Sequence, residues 1–225
     1  IRRGVNMSYI VENNGVYGLT KGQFSATSDK GSKSKKGVEN TESGIDLVAL
    51  ALQLGATYVG RSFSGDKDQL VPLIKGALSH HGPAFLDVIS PCVAFNNHAG
   101  STKSFDYVRE HNEAVNRLDV ILGRTPITTE YKAGELREVT QHDGSVLRLR
   151  KLSEDYDPTN RIAAANYLQE RHAEGEIVTG LLYVDPDATD LHDRLGTTAT
   201  PLNQLGGAAL TPGAAALAKI NAGLR

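Results

Sequence analysis

Between residues 7 and 89 short apolar runs alternate with longer stretches of helical period, and this alternation constrains the fold more than any other feature. Residues 7–12 contain Tyr9, Ile10 and Val11 and read as a buried strand. Residues 41–55 read as a helix with Thr41 as its cap and Leu47, Leu50, Leu52 and Leu54 on its apolar side. The run from Tyr58 to Phe63 is a second strand. Asp66 is placed to cap a second helix that ends near His80-His81-Gly82, with Pro72 awkward near its first turns. The run from Phe85 to Ile89 is a third strand, and it gives way to Ser90-Pro91-Cys92. Strands separated by helices pair in parallel, so the expected class is α/β with a mainly parallel sheet.

Beyond about residue 125 the pattern changes. Residues 139–149 read as a hairpin turned at His142-Asp143-Gly144, since Asp-Gly tolerates positive φ. Residues 162–173 read as an amphipathic helix, residues 177–184 as a strand, and the tail from Pro212 as a short Ala-rich helix. We therefore expect residues 1–125 to form one domain and residues 126–225 an irregular C-terminal extension that contacts another subunit. The start, Ile1-Arg2-Arg3-Gly4, lacks a Met and reads as a helix end running into a strand, as in the later part of a longer protein.

Bulk properties exclude several classes. A net charge of −2 over 225 residues gives no global attraction to nucleic acid or to a membrane surface. No apolar run reaches the length of a membrane span. The one Cys cannot form an internal disulfide and fits a reducing cytoplasm.

The segment with the most chemistry follows the first strand: Asn13-Asn14-Gly15-Val16-Tyr17-Gly18-Leu19-Thr20-Lys21-Gly22. A strand that ends in amides and runs into a glycine-rich turn presents hard oxygen donors. Magnesium takes such oxygens and is commonly shared with phosphates, and ligands of open α/β sheets settle at the C-terminal ends of the strands. The Asn14 side-chain oxygen and the Val16 carbonyl are the candidate metal donors, with Gly15 easing the turn. The backbone N–H groups around Gly18 and the Thr20 hydroxyl are candidate phosphate partners. On spacing alone, an Asn-Gly turn that merely closes a strand explains residues 13–16 better. Likewise Cys92 reads as a small buried hydrophobe and Lys21 as a solvated loop lysine.

Three separated motifs occur in order: the stretch from Tyr9 to Lys36, Ser90-Pro91-Cys92-Val93-Ala94-Phe95-Asn96, and Asp106-Tyr107-Val108-Arg109. Together they closely resemble the β subunit of 2-oxoacid:ferredoxin oxidoreductases, most of all the 2-oxoglutarate type (2-oxoglutarate synthase). The resemblance covers nearly the whole chain. It implies the later part of a thiamine-diphosphate-binding domain, with Asn13-Asn14 as the end of a metal motif that opens with Gly-Asp-Gly. Over the family's spacing, that Asp falls before Ile1. Asn14 and Val16 then hold magnesium beside thiamine diphosphate, with Gly18, Leu19 and Thr20 at the cofactor and Lys21 at the distal carboxylate of the substrate. Cys92 supplies one thiolate to a [4Fe–4S] cluster, which needs four. The implied reaction converts 2-oxoglutarate and coenzyme A to succinyl-CoA and CO2 and reduces ferredoxin. It runs only in the complete heteromeric enzyme with an α subunit. Pyruvate or another 2-oxoacid is the alternative substrate, and a non-catalytic assembly fragment is the alternative of another class.

Two features stay open. The basic run Lys30, Lys33, Lys35 and Lys36 reads equally as a solvated loop and as a landing site for coenzyme A phosphates or acidic ferredoxin. Among the His residues, His80-His81 lies at a helix end, where a cation favours the dipole, and His98 follows the cluster cysteine. None has partners at zinc spacing.

Overall fold

A computed structural model describes residues 1–17, 23–28, 30–31, 38–90, 127–140, 146–211 and 213–224. It divides into two compact units, Ile1–Leu191 and His192–Arg225.

The first unit is built on six strands: β1 (Met7–Asn13), β5 (Pro83–Ile89), β4 (Tyr58–Phe63), β8 (Ile177–Val184), β7 (Val146–Lys151) and β6 (Leu136–Thr140), in that order across the sheet. β1, β5 and β4 are mutually parallel, β8 runs antiparallel to β4, β7 is parallel to β8, and β6 closes the far edge antiparallel to β7. A separate two-stranded ribbon pairs β2 (Val16–Tyr17) with β3 (Gln23–Phe24). The α/β class with a mainly parallel sheet is as the strand–helix alternation requires. Beyond residue 125 the chain adds three of the six strands to that same sheet, β6, β7 and β8.

Helices cover both faces. α1 (Leu47–Gln53) and α3 (Arg161–Ala173) lie on one side, where Val48, Ala51 and Leu52 meet Val59, Phe85, Ala164, Leu168 and Leu182. α2 (Lys67–Ser79) covers the other side, where Leu73 and Ala77 pack on Tyr58, Ala84 and Leu86. Every residue of β4 is buried, as a central strand covered on both faces should be. Each fully buried Val, Leu or Phe in these layers contributes about 1.5–3 kcal/mol.

Several local outcomes differ from the sequence reading. β1, read as a buried strand, has no buried residue: it stands at one end of the strand order, with Tyr9 50% and Ile10 39% exposed. α1 begins at Leu47 rather than near Thr41, and its cap is Asp46, whose carboxylate accepts from the N–H groups of Val48 (2.9 Å) and Ala49 (3.1 Å). The preceding residues pair with residues 26–31 instead: Ile45 N–H donates to the Ala26 carbonyl (2.7 Å) and Gly31 N–H to that of Asn40 (2.8 Å). Leu50 and Leu54, assigned to the apolar face, are exposed, while Val48 and Ala51 are buried. α2 is capped by Asp66 as expected, through the Gln69 N–H (3.1 Å), and carries Pro72 on its exposed side. β6 and β7 form the expected antiparallel pair; the turn residues 142–144 lie outside the described residues.

α4 (Leu191–Leu195) starts at the last residue of the first unit; the second unit contains the rest of it, a 3₁₀ turn (Leu202–Gln204), α5 (Gly207–Leu210) and α6 (Gly213–Gly223), and none of these elements has a buried residue. Among the described residues no helix is long and apolar enough to cross a membrane.

Candidate cofactor turn at the carboxyl end of the sheet

β1 ends at Asn13, in register with Ile89 at the end of β5. The Ser90 N–H donates to the Asn13 carbonyl (2.9 Å). The chain therefore leaves the sheet at two neighbouring points, into Asn14-Gly15-Val16 after β1 and into Ser90-Pro91-Cys92 after β5. This is the end of a parallel sheet where ligands bind. Gly18, Leu19, Thr20, Lys21 and Cys92 lie outside the described residues, as do Lys33, Lys35, Lys36 and His98. Lys30 is described and exposed.

At the turn, Gly15 has φ +70°, a left-handed conformation that favours glycine. The Asn14 Oδ1 accepts from the Val16 N–H (3.1 Å). The exposed Asn14 oxygen, with one hydrogen bond made, keeps a second acceptor position. An amide oxygen and a main-chain carbonyl are the donors a hard divalent cation takes, so the residues present fit magnesium.

Behind the turn lies a set of hydroxyls that the sequence reading missed. Thr27 Oγ1 donates to Asn13 Oδ1 (2.7 Å), and Ser28 Oγ donates to the Gly15 carbonyl. The Ser25 N–H bridges the Gly15 carbonyl (3.2 Å) and Ser28 Oγ (3.0 Å). Asn40, itself buried, holds the Ser28 carbonyl through its side-chain amide (3.1 Å). The only signal in the sequence was the cluster of Ser25, Thr27 and Ser28 in a segment read as loop.

Beneath α1, Arg61 of β4 forms ion pairs with Asp46 (2.5 Å) and Asp87 of β5 (2.9 Å), with its side chain only 8% exposed. Burial disfavours the Arg61 charge, but the two carboxylates outweigh it and raise its pKa above the ordinary value. Burial likewise pushes the Asp46 carboxyl up. The Arg61 charge and hydrogen bond and the Ala49 and Val48 amides outweigh that and hold it below the usual range. Asp87 Oδ1 is buried and has no hydrogen-bond partner. The trio ties the N-terminus of α1 to the sheet.

His80, expected at the end of a helix, stands at the C-cap of α2. It follows α2 in extended backbone (φ −72°, ψ 139°), and its Nε2 bonds Thr57 Oγ1 (2.8 Å). Burial lowers its pKa; Asp185 opposes and the nearby His81 adds to the lowering.

Residues 1–88 match the family described as the C-terminal TPP binding domain of thiamine pyrophosphate enzymes, and residues 147–200 match the C-terminal region of the pyruvate ferredoxin oxidoreductase β subunit. The 2-oxoacid:ferredoxin oxidoreductase β subunit of Saccharolobus solfataricus is 45% identical over 97 residues, 43% of this chain and 32% of that protein. The 2-oxoglutarate oxidoreductase subunit KorB of Mycobacterium tuberculosis is 35% identical over 111 residues, 49% of this chain and 28% of that protein. The aligned segment thus spans about a third of the length of the curated relatives. Among solved structures, a 2-oxoglutarate:ferredoxin oxidoreductase from Magnetococcus marinus, with 2-oxoglutarate, coenzyme A and succinyl-CoA bound, superposes with a TM-score of 0.57 at 27% identity, covering 90% of this chain and 57% of that one. Sequence and fold agree in what the chain is similar to: β subunits of 2-oxoacid:ferredoxin oxidoreductases, over part of their length.

Proposed function

We propose that the chain belongs to an enzyme that oxidatively decarboxylates 2-oxoglutarate with coenzyme A, giving succinyl-CoA and CO2 and passing two electrons to ferredoxin. The observation that supports this reading is the turn from Asn14 to Val16 beside the carboxyl end of β5 at Ser90. The Magnetococcus relative, with 2-oxoglutarate and coenzyme A bound, and the KorB relatives favour this substrate.

Asn14 and Val16 would hold magnesium, which would supply positive charge beside the diphosphate of the cofactor. Gly18 and Thr20 bind the phosphate oxygens, and Leu19 packs at the cofactor. When bound, thiamine diphosphate supplies the electron sink that decarboxylation of a 2-oxoacid needs. Lys21 pairs with the distal carboxylate of 2-oxoglutarate; a charge-assisted hydrogen bond is worth about 1.5–3 kcal/mol, roughly tenfold or more in preference over pyruvate. Cys92 would contribute one of the four thiolates that hold a [4Fe–4S] cluster, a group that supplies one-electron redox chemistry when bound. An α subunit completes the site, and residues 126–225 contact a neighbouring subunit. The enzyme is placed in the cytoplasm, a reducing compartment that suits the one Cys among these 225 residues.

A second reading keeps the chemistry and changes the acid, because residues 147–200 match a family named for pyruvate. The test is thiamine and iron analysis of the assembled enzyme, followed by coenzyme-A-dependent ferredoxin reduction with a panel of 2-oxoacids. Stoichiometric thiamine and iron with preference for 2-oxoglutarate is expected. Thiamine without iron would reject the redox role, and neither cofactor would reject the enzyme.

A further inference from the structure

We infer that Thr27 and Ser28 are positioning residues that set the Asn14 side-chain oxygen and the Val16 carbonyl for a divalent cation. The inference rests on the assignment of Asn14 and Val16 as magnesium ligands and names the groups that make that assignment work.

One peptide group, the link between Gly15 and Val16, couples the hydroxyls to the ligands. Its N–H is the donor to Asn14 Oδ1 (3.1 Å), and its carbonyl accepts from the Ser28 hydroxyl and the Ser25 N–H (3.2 Å). In a trans peptide the C=O and N–H point to opposite sides. Ser28 therefore holds one side of the plane while Asn14 is held on the other. Fixing the carbonyl fixes the N–H, and the N–H fixes the rotation of the Asn14 amide. The same plane sets the backbone direction into Val16.

Thr27 acts one residue earlier. Its hydroxyl gives its only proton to Asn13 Oδ1 (2.7 Å), so the hydroxyl contact with Ser25 (2.9 Å) must be donated by Ser25. Asn13 is thereby kept turned to the clasp while Asn14 stays outward. Gly15, at φ +70°, turns the chain immediately after the two amides.

The clasp is itself held rigidly. Ser28 is 5% exposed, and Asn40 donates to its carbonyl (3.1 Å) while also holding the Glu42 carbonyl (3.1 Å). At Gly44 the chain passes so close that a Cβ would lie 3.0 Å from the Ser28 carbonyl oxygen and 3.3 Å from that of Thr27. Groups that orient metal ligands from behind typically change metal affinity 10- to 100-fold when removed.

The experiment uses the assembled enzyme stripped of metal and thiamine diphosphate. Magnesium is titrated at fixed thiamine diphosphate and followed by calorimetry, with the melting temperature of the stripped protein measured in parallel. Thr27→Val, which keeps the shape and removes the hydroxyl, and Ser28→Ala should each raise the magnesium half-saturation concentration about tenfold or more. Thr27→Ser should restore it, and the stripped Thr27→Val protein should melt close to the parent. Asn14→Ala should abolish magnesium-dependent binding. If Asn14→Ala abolishes it while Thr27→Val and Ser28→Ala titrate like the parent, the positioning role is overturned and the ligand assignment stands. If Asn14→Ala itself titrates like the parent, the ligand assignment falls. A Thr27→Ser variant as weak as Thr27→Val would also overturn the role, because shape rather than the hydroxyl would then be decisive.

Discussion

Arg61 offers the sharpest test of how the candidate site is supported. Its guanidinium is almost wholly enclosed and pairs with Asp46 (2.5 Å), which caps α1, and Asp87 (2.9 Å), whose side chain is 2% exposed. Replacing Arg61 with Met keeps most of the side-chain volume and removes the charge. Asp46 is 23% exposed and retains two helix amides, so it stays solvated. Asp87 has no such refuge: Oδ2 loses Arg61 and Oδ1 already lacks a partner. Breaking a buried pair on one side costs about 3–5 kcal/mol, or about 6–20 °C in melting temperature for a chain of this size. The assay is thermal and urea unfolding of the purified protein with Arg61→Met, Asp87→Asn and the double variant. The double variant should recover part of the loss, since a neutral amide is cheaper to bury than an unpaired carboxylate. A loss below about 1 kcal/mol in Arg61→Met would refute the reasoning. Asp46 adds a pH signature. Its folded pKa is lowered, so its contribution is present above the unfolded carboxylate value and disappears as pH falls through the folded one. Arg61→Met should flatten that acid limb.

Other perturbations test other parts. Leu182→Ala removes a side chain with no exposure at the meeting of β8, α1 and α3, and should cost about 2–5 kcal/mol in urea unfolding. Gly60→Ala should cost about 1–3 kcal/mol, because its Cβ would lie 2.8 Å from Leu86 and 3.2 Å from the Gly180 carbonyl in the middle of the sheet. Burial pushes the Tyr131 phenol up to about 12, with the Thr179 hydroxyl opposing and Asp66 adding. Its contribution is therefore full below the ordinary tyrosine value of 10 and lost as pH rises toward 12. Tyr131→Phe should blunt the alkaline loss of stability measured over that range. Lys21→Ala should reduce the preference for 2-oxoglutarate over pyruvate about tenfold or more in ferredoxin reduction. Unchanged preference would remove Lys21 from the substrate site.

The parts legible in the sequence were those governed by short-range pattern. β4 appears at residues 58–63, β8 at residues 177–184, and Asp66 caps α2, because apolar runs and a capping carboxylate are local signals. The start of α1 was not legible. Residues 41–46 carry helix-compatible residues, but their backbone pairs with the segment around Ala26, a long-range competition that outweighs local propensity. The joining of β6, β7 and β8 to the first sheet also depends on contacts far apart in the chain. For the site, the Asn13-Asn14-Gly15 turn was visible, whereas the Thr27–Ser28 clasp was hidden in a stretch read only as polar loop. The Arg61–Asp87 pair did leave a trace. An arginine and an aspartate stand singly inside two short, mostly apolar runs read as strands, and charges buried in a sheet are expected to find one another.

The central claim is that the turn after β1 is a magnesium-dependent cofactor site. It is tested most directly by equilibrium binding of thiamine diphosphate to the assembled, cofactor-stripped enzyme, with and without magnesium, for the parent and Asn14→Ala. The account predicts stoichiometric binding in the parent that requires magnesium and is lost in the variant. Binding that ignores magnesium, or survives unchanged in Asn14→Ala, would contradict it.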